Sequence, residues 1–290
     1  MFRKMLCPID FSRGSDHALG LAARIAAEVG AELVIVHAWH VPPIAYREYA
    51  LPANSLEHAF ADEASGLVEL AERARAFGVA SVSTRVVEGV PSDRIVEIAQ
   101  ADHAFDLIVI GTRGRTGVAR WVLGSVAEHV VRHAPCSVLV ARGRDEHAPF
   151  DHIACPVDFS DHAREAVHQA TWLAARGGDG LSLWHVIDPR VLRGVATPDL
   201  VADLDRRASL ELERWAARIE PAPPVALRCD IRVGDPADEV LAGVEADDSI
   251  DLIAVGARSR TGIRRALLGS VAEKLVRHAR CPVLVARTRG

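Results

Sequence analysis

The sequence predicts an α/β protein made of two copies of one doubly wound domain. Three observations predict it. Apolar runs of strand length alternate with segments of helical period, the pattern of a mainly parallel sheet with helices on both faces. The pattern repeats at half the chain length. Cys7-Pro8-Ile9-Asp10-Phe11-Ser12 returns as Cys155-Pro156-Val157-Asp158-Phe159-Ser160, and Val131-Arg132-His133-Ala134 returns as Val276-Arg277-His278-Ala279. A chain of 290 residues has the length of about two ordinary domains, so either half can bury a core of its own.

Taken in order, Arg3 to Ile9 reads as a short buried strand. Asp16 to Val29 carries apolar residues at Ala18, Leu19, Ala22, Ala23, Ala26 and Ala27, a helical stripe that Gly30 ends. Leu33 to Trp39 is almost continuously apolar, as a strand covered on both faces is, and His37 lies near its end. His40 to Asn54, with Pro42, Pro43 and Pro52, reads as irregular. Ser55 and then His58 to Phe77 read as a long helix ended by Gly78. Val82 to Glu88 is a third strand, and Pro91 opens a helix to Ala101 at a position where a missing N–H costs nothing. Leu107 to Ile110 and Val138 to Ala141 are the fourth and fifth strands. Gly143 to Pro149 is polar and reads as the linker, so the domains are expected at 1–142 and 150–290. In the second half Asp188 to Ala196 replaces His40 to Asn54. Both segments follow the second strand at the carboxyl edge, where open α/β sheets bind ligands, and are expected to act as flaps over two sites.

Composition excludes several classes. Apolar residues at 49% and charged residues at 25% form an ordinary globular balance. A net charge of −5 argues against a general nucleic-acid binder. No apolar run approaches the roughly 20 residues of a membrane span, and no signal-peptide core is visible. Neither nucleic acid nor membrane is therefore expected as a partner. Cys7, Cys136, Cys155 and Cys281 fall within or beside strands and no C-x-x-C occurs, so they read as reduced core residues of a cytosolic protein.

The stretch that points to chemistry runs from Gly111 to Ser125 and reads G-T-R-G-R-T-G-V-A-R-W-V-L-G-S. A buried strand precedes it and a helix follows. That order suits an anion, because loop N–H groups and a helix N-terminus both face the space between. Gly111 and Gly114 lack a Cβ and would let the backbone approach a phosphate. Arg113, Arg115 and Arg120 surround this loop, and guanidinium pairs well with phosphate, although a solvated basic face explains them too. Arg258, Arg260, Arg264 and Arg265 surround the second copy, in which Ser259 stands where the second glycine should be. A Cβ and a hydroxyl there either weaken or retune that site. Ser125 and Ser270 each open Ser-Val-Ala-Glu, the pattern of a capping box with Glu128 and Glu273.

Asp10 and Asp158 end the first strand of each half. A carboxylate there can accept hydrogen bonds from a ribose or a base, or sit near a metal on phosphates. It equally suits an N-cap or Asx turn, for which Ser12, Ser15 and Asp16 compete. His129 and His133 lie four apart on a helix, a spacing that can share a metal, but no third ligand is suitably placed and no metal site is expected. No Ser-His-Asp or Cys-His arrangement is present, and no general base lies near the loop, so fast hydrolysis is not predicted.

The spacing G-x2-G-x9-G-S, set between strand and helix, resembles the nucleotide-binding motif of the universal stress protein family. The resemblance covers both halves and is complete in the first. It implies five parallel strands in the order 3-2-1-4-5 in each half, and a loop that holds the phosphates and ribose of ATP. It also implies that Asp10 lines the nucleotide pocket and that Ala38 and Val186 pack on the adenine ring. The nucleotide-binding residues so expected are Pro8, Asp10, Ala38, Ile110, Gly111, Arg113, Gly114, Arg115, Gly124, Ser125 and Val126 in the first half. In the second they are Asp158, Val186, Gly256, Ser259, Gly269, Ser270 and Val271. The implied ligand is ATP, with Mg²⁺ as an option. The implied function is a cytosolic stress-response regulator or sensor with slow hydrolysis or none. The final strands, Ser137 to Arg142 and Pro282 to Arg287, are expected to pair so that the halves form a pseudo-dimer, with homodimerisation of the chain besides. Two other classes stay open. One is a nucleotide-free interaction scaffold. The other is an ATP-using hydrolase or ligase, which would need a base and an acceptor pocket.

Overall fold

A computed structural model describes residues 2–40, 53–112, 123–142, 150–192, 198–219, 225–258 and 268–288. The chain divides into two compact units, Met1–Asp145 and Glu146–Gly290. In the first unit the order is β1 (Lys4–Ile9), α1 (Arg13–Val29), β2 (Glu32–Trp39), α2 (Ala53–Ala76), β3 (Ser81–Glu88), α3 (Pro91–Ala101), β4 (Leu107–Gly111), α4 (Ser125–His133) and β5 (Ser137–Ala141). The second runs β6 (His152–Pro156), α5 (Asp161–Ala174), β7 (Gly180–Ile187), a 3₁₀ turn (Pro189–Leu192), α6 (Pro198–Ala216), β8 (Ala226–Val233), α7 (Pro236–Ala246), β9 (Leu252–Gly256), α8 (Ser270–His278) and β10 (Val283–Ala286).

Strand pairing within the first unit is parallel throughout and gives β3-β2-β1-β4-β5. The second unit gives β8-β7-β6-β9-β10, again all parallel. Parallel neighbours need a crossover helix, and crossovers are right-handed. The chain steps one way from β1 to β3 and the other way from β3 to β5, so α1 and α2 cover one face while α3 and α4 cover the other. This is why β1, β2, β4 and β5 are buried almost without a break, while the edge strand β3 is half exposed along its length. Leu6, Leu33, Ile35, Leu107 and Ile108 are fully buried, each contributing roughly 1.5–3 kcal/mol of apolar burial.

The helix ends follow local chemistry. The Ser12 hydroxyl accepts from the Ser15 N–H, so α1 starts at Arg13, three residues before Asp16, where the sequence pattern placed its start. Gly30 ends α1 in the left-handed conformation at φ 67°. One expectation fails. Helix α4 has Gly124 as its N-cap, with no side-chain hydrogen bond, and α8 has Gly269 in the same role. The serines are thus the first helical residues and no capping box forms. The cause is a tether: the Gly124 N–H donates to the Thr112 carbonyl at 2.8 Å, and that of Gly269 to Ala257 at 2.8 Å. This bond fixes where the returning chain enters its helix, one residue before the serine.

Candidate functional site

In each unit β1 or β6 is flanked by neighbours reached in opposite directions. At this reversal the crossover helices diverge and leave a crevice beyond the carboxyl ends of the strands. Each unit has a cleft there. Cleft 1 has a volume of about 480 Å³ and cleft 2 about 430 Å³, both within the size range of small-molecule pockets.

The floor of cleft 1 is a compact turn. Asp10 Oδ1 accepts from the Ser12 N–H at 3.1 Å and from the Ser12 hydroxyl at 2.6 Å. Asp10 therefore closes an Asx turn and lines the cleft at once. The turn forces Phe11 into the left-handed region at φ 58°, and Phe159 repeats this at φ 63°. A phenylalanine there is strained, and such strain collects where a fold holds a site in shape. Each ring is held in place by the histidine of the next strand. Phe11 lies 5.0 Å from His37, and Phe159 lies 4.5 Å from His185, between ring centroids. The Nδ1 of His37 meets the Ile9 carbonyl at 2.7 Å. A carbonyl only accepts, so Nδ1 carries the proton and Nε2 is left toward Glu63, 3.7 Å away.

The structure brings Pro8, Asp10, Ala38, Ile110, Gly111, Gly124, Ser125 and Val126 together around cleft 1. Around cleft 2 it gathers Asp158, Val186, Gly256, Gly269, Ser270 and Val271. Arg113, Gly114, Arg115 and Ser259 lie outside the described residues, as do Arg120, Arg260, Arg264 and Arg265. The two short helices α4 and α8 point uncapped N-termini into their clefts through Ser125 and Ser270. First-turn N–H groups without an intrahelical acceptor favour an anion there.

Gly111 has a second explanation. A Cβ on it would lie 2.4 Å from the Gly14 carbonyl oxygen, and one on Gly256 would lie 2.7 Å from the His162 carbonyl carbon. Both glycines are thus required by the first turn of the first helix of their unit, α1 or α5, whether or not a ligand is near. The cysteines one residue before Pro8 and Pro156 are buried, and burial pushes the Cys7 and Cys155 thiols far up, so neither serves as a nucleophile. Cys229 differs from the other four in being exposed, on edge strand β8. The rings of His129 and His133 stack at 4.2 Å, and His133 Nδ1 is engaged by the His129 carbonyl.

Sequence reasoning passed over part of the rim, although Asp188 and Arg190 fall in the segment it expected as a flap. His37, Glu63, Pro91 and Ile95 complete cleft 1. Trp184, Asp188, Arg190, Asp235 and Lys274 complete cleft 2. Four of these five, with Asp238, form a chain of opposite charges. Arg190 bonds Asp188 through Nε and Nη2 at 2.8–3.0 Å and reaches Asp235 at 2.8 Å. Lys274 joins Asp235 at 3.3 Å and Asp238 at 2.7 Å. The usable signal was the proline pair. Pro91 and Pro236 each open a helix directly after the third strand, at the edge where the site had to be.

The description of the universal stress protein family matches residues 1–142 and again 149–287. The chain belongs to the universal stress protein family. A universal stress protein of Mycobacterium tuberculosis is 30% identical over an alignment that covers 96% of this chain and 95% of that one. One from Methanocaldococcus jannaschii is 37% identical over 49% of this chain and 83% of its own length. The crystal structure of a universal stress protein from Archaeoglobus fulgidus superposes with a TM-score of 0.72 at 23% identity, covering 99% of this chain and 98% of that one, which shows the shared fold. The tandem arrangement is therefore a feature that this universal stress protein has in common with full-length relatives. Among the described residues no helix is long and apolar enough to cross a membrane.

Proposed function

We propose that this universal stress protein binds adenine nucleotide, ATP with or without Mg²⁺, in both clefts. In this reading it acts in the cytoplasm as a stress-response regulator or sensor, with slow hydrolysis or none. The observation that carries the reading is the convergence at each cleft of an uncapped helix N-terminus with the Asp10 or Asp158 carboxylate. The first would favour phosphate and the second would accept ribose or base N–H and O–H groups. Pro8, Ala38 and Ile110 supply the apolar wall that a flat base needs. Arg113, Gly114, Arg115 and Ser259 belong to the same reading as the loop around the phosphates. Homodimerisation of the chain is part of the proposal and is read by light scattering after size exclusion.

Equilibrium dialysis against labelled ATP tests the reading, and absence of binding at millimolar ATP would sink it. Asp10→Asn separates the two roles of Asp10. The amide oxygen can keep the Asx turn, so the fold should hold, while loss of a charged acceptor should weaken ATP binding by about tenfold or more.

A further inference from the structure

His37 and His185 hold the same place in the two units. Each donates through Nδ1 to a backbone carbonyl, that of Ile9 at 2.7 Å or that of Val157 at 2.8 Å, and each packs on the left-handed phenylalanine. Their surroundings differ. His37 is only 4% exposed, yet it lines cleft 1, and its Nε2 is not among the side-chain nitrogens sealed from solvent without a partner. Glu63 of α2 lines the same cleft, and its carboxylate stands 3.7 Å from that Nε2. This is too long for a hydrogen bond. With Nδ1 spent on the Ile9 carbonyl, the neutral ring offers a lone pair at Nε2, and the carboxylate offers only lone pairs. Two acceptors thus share one stretch of the cleft wall, and a buried acceptor without a donor forfeits a hydrogen bond. Cleft 2 has the histidine without this carboxylate. His185 lines it, but no described residue of α6 does, and Phe159 is backed by Trp215 at 6.3 Å instead. The rim carboxylates of cleft 2, Asp188 and Asp235, already accept from Arg190 and Lys274.

We propose that Glu63 and His37 are specificity-determining residues of cleft 1, a pair of acceptors that receives a hydrogen-bond donor of the ligand. The donor is an amine or a hydroxyl, which in an adenine nucleotide means the exocyclic amine or a ribose hydroxyl. The carboxylate makes the contact charge-assisted, and the buried imidazole, held on both sides by Ile9 and Phe11, fixes its direction. A ligand that presents a carbonyl oxygen at this place meets lone pairs on both groups and is rejected. Cleft 2, with no carboxylate from α6 at its wall, makes no such demand. The clefts are thus two sites with different demands on the ligand. This inference rests on the reading that cleft 1 holds a nucleotide.

The test titrates the full-length protein with ATP under native mass spectrometry and assigns to cleft 1 the step that Asp10→Asn weakens. Inosine triphosphate, with a carbonyl oxygen in place of the amine, and 2′-deoxy- and 3′-deoxy-ATP, each short of one hydroxyl, show which donor is read. One of these analogues should bind in that step about tenfold more weakly than ATP. Glu63→Ala should weaken ATP in the same step about three- to tenfold, abolish the discrimination against that analogue and leave the other step unchanged. Glu63→Gln should do likewise, because its amide can itself donate to His37 Nε2. The Glu63 side chain is 30% exposed, so both variants should fold. Two outcomes overturn this inference alone. In one, ATP binds Glu63→Ala as tightly as the unaltered chain, as it would if Glu63 only formed an ion pair with a protonated His37. In the other, discrimination persists without the Glu63 carboxylate, and so belongs to Asp10. Absence of any bound nucleotide overturns the functional reading and this inference with it.

Discussion

The two clefts have the same floor and different rims. Both floors are built from a proline, an Asx-turn aspartate, a left-handed phenylalanine on a histidine, and a glycine-capped helix. At the rim of cleft 1, α3 starts from Val90 without a side-chain cap, and His129 stands 3.5 Å from Asp93. At the rim of cleft 2, Asp235 replaces Val90 and caps α7 by accepting from the Ala237 and Asp238 N–H groups. It also ties Arg190 and Lys274 together. The comparison separates two kinds of constraint. Residues that the turn geometry and the close helix–strand approach require are kept in both copies. Residues at the outer rim, such as Val90 and Asp235, have diverged.

The largest expected effect breaks the shared floor. Gly111→Ala places a Cβ against the Gly14 backbone, which cannot yield as a flexible side chain would, and should destabilise the first unit by about 1–3 kcal/mol or more. Gly256→Ala should act on the second unit in the same way. Calorimetry without nucleotide checks both, and an unchanged transition would return these glycines to a purely ligand-facing role.

Next in size is Asp235→Val, which gives cleft 2 the rim residue of cleft 1. Loss of the cap should cost about 1 kcal/mol of stability, and Val90→Asp should recover part of that amount in the first unit. Chemical denaturation measures both. Arg190→Gln keeps the cap and removes only exposed ion pairs, so it should cost under about 1 kcal/mol.

A smaller effect is set by pH. Burial lowers the His152 pKa, and burial together with Arg258 and Arg287 lowers that of His162. In the first unit burial lowers that of His17. A histidine that is harder to protonate when folded binds fewer protons than the unfolded chain. Stability then rises with pH through the ordinary histidine range near 6.5 and falls below it. With two such residues against one among those described, the second unit should lose more hydrogen-exchange protection between pH 7.5 and 5.5. Equal loss in both units would contradict this.

The alternation of strands and helices was legible because burial on both sheet faces imposes apolar runs, and the duplication was legible because short motifs return almost unchanged, the first hexapeptide differing only at Ile9 and Val157. The floor was legible where a residue type has few uses, as with Asp10 and Gly124. The capping box was misread because Ser-x-x-Glu fits two registers one residue apart, and only the Gly124–Thr112 hydrogen bond chooses between them. That Asp235 and Lys274 meet Arg190 was not legible, because they are distant in sequence and are joined only where a turn and two helices end at one edge.

The central claim is that this chain carries two nucleotide sites that are not equivalent. Native mass spectrometry during ATP titration tests it most directly. The account predicts one nucleotide and then a second on each chain, at separable concentrations, with Asp10→Asn weakening one step and Asp158→Asn the other. A single step of two equal sites, or a chain that never carries nucleotide, would contradict it.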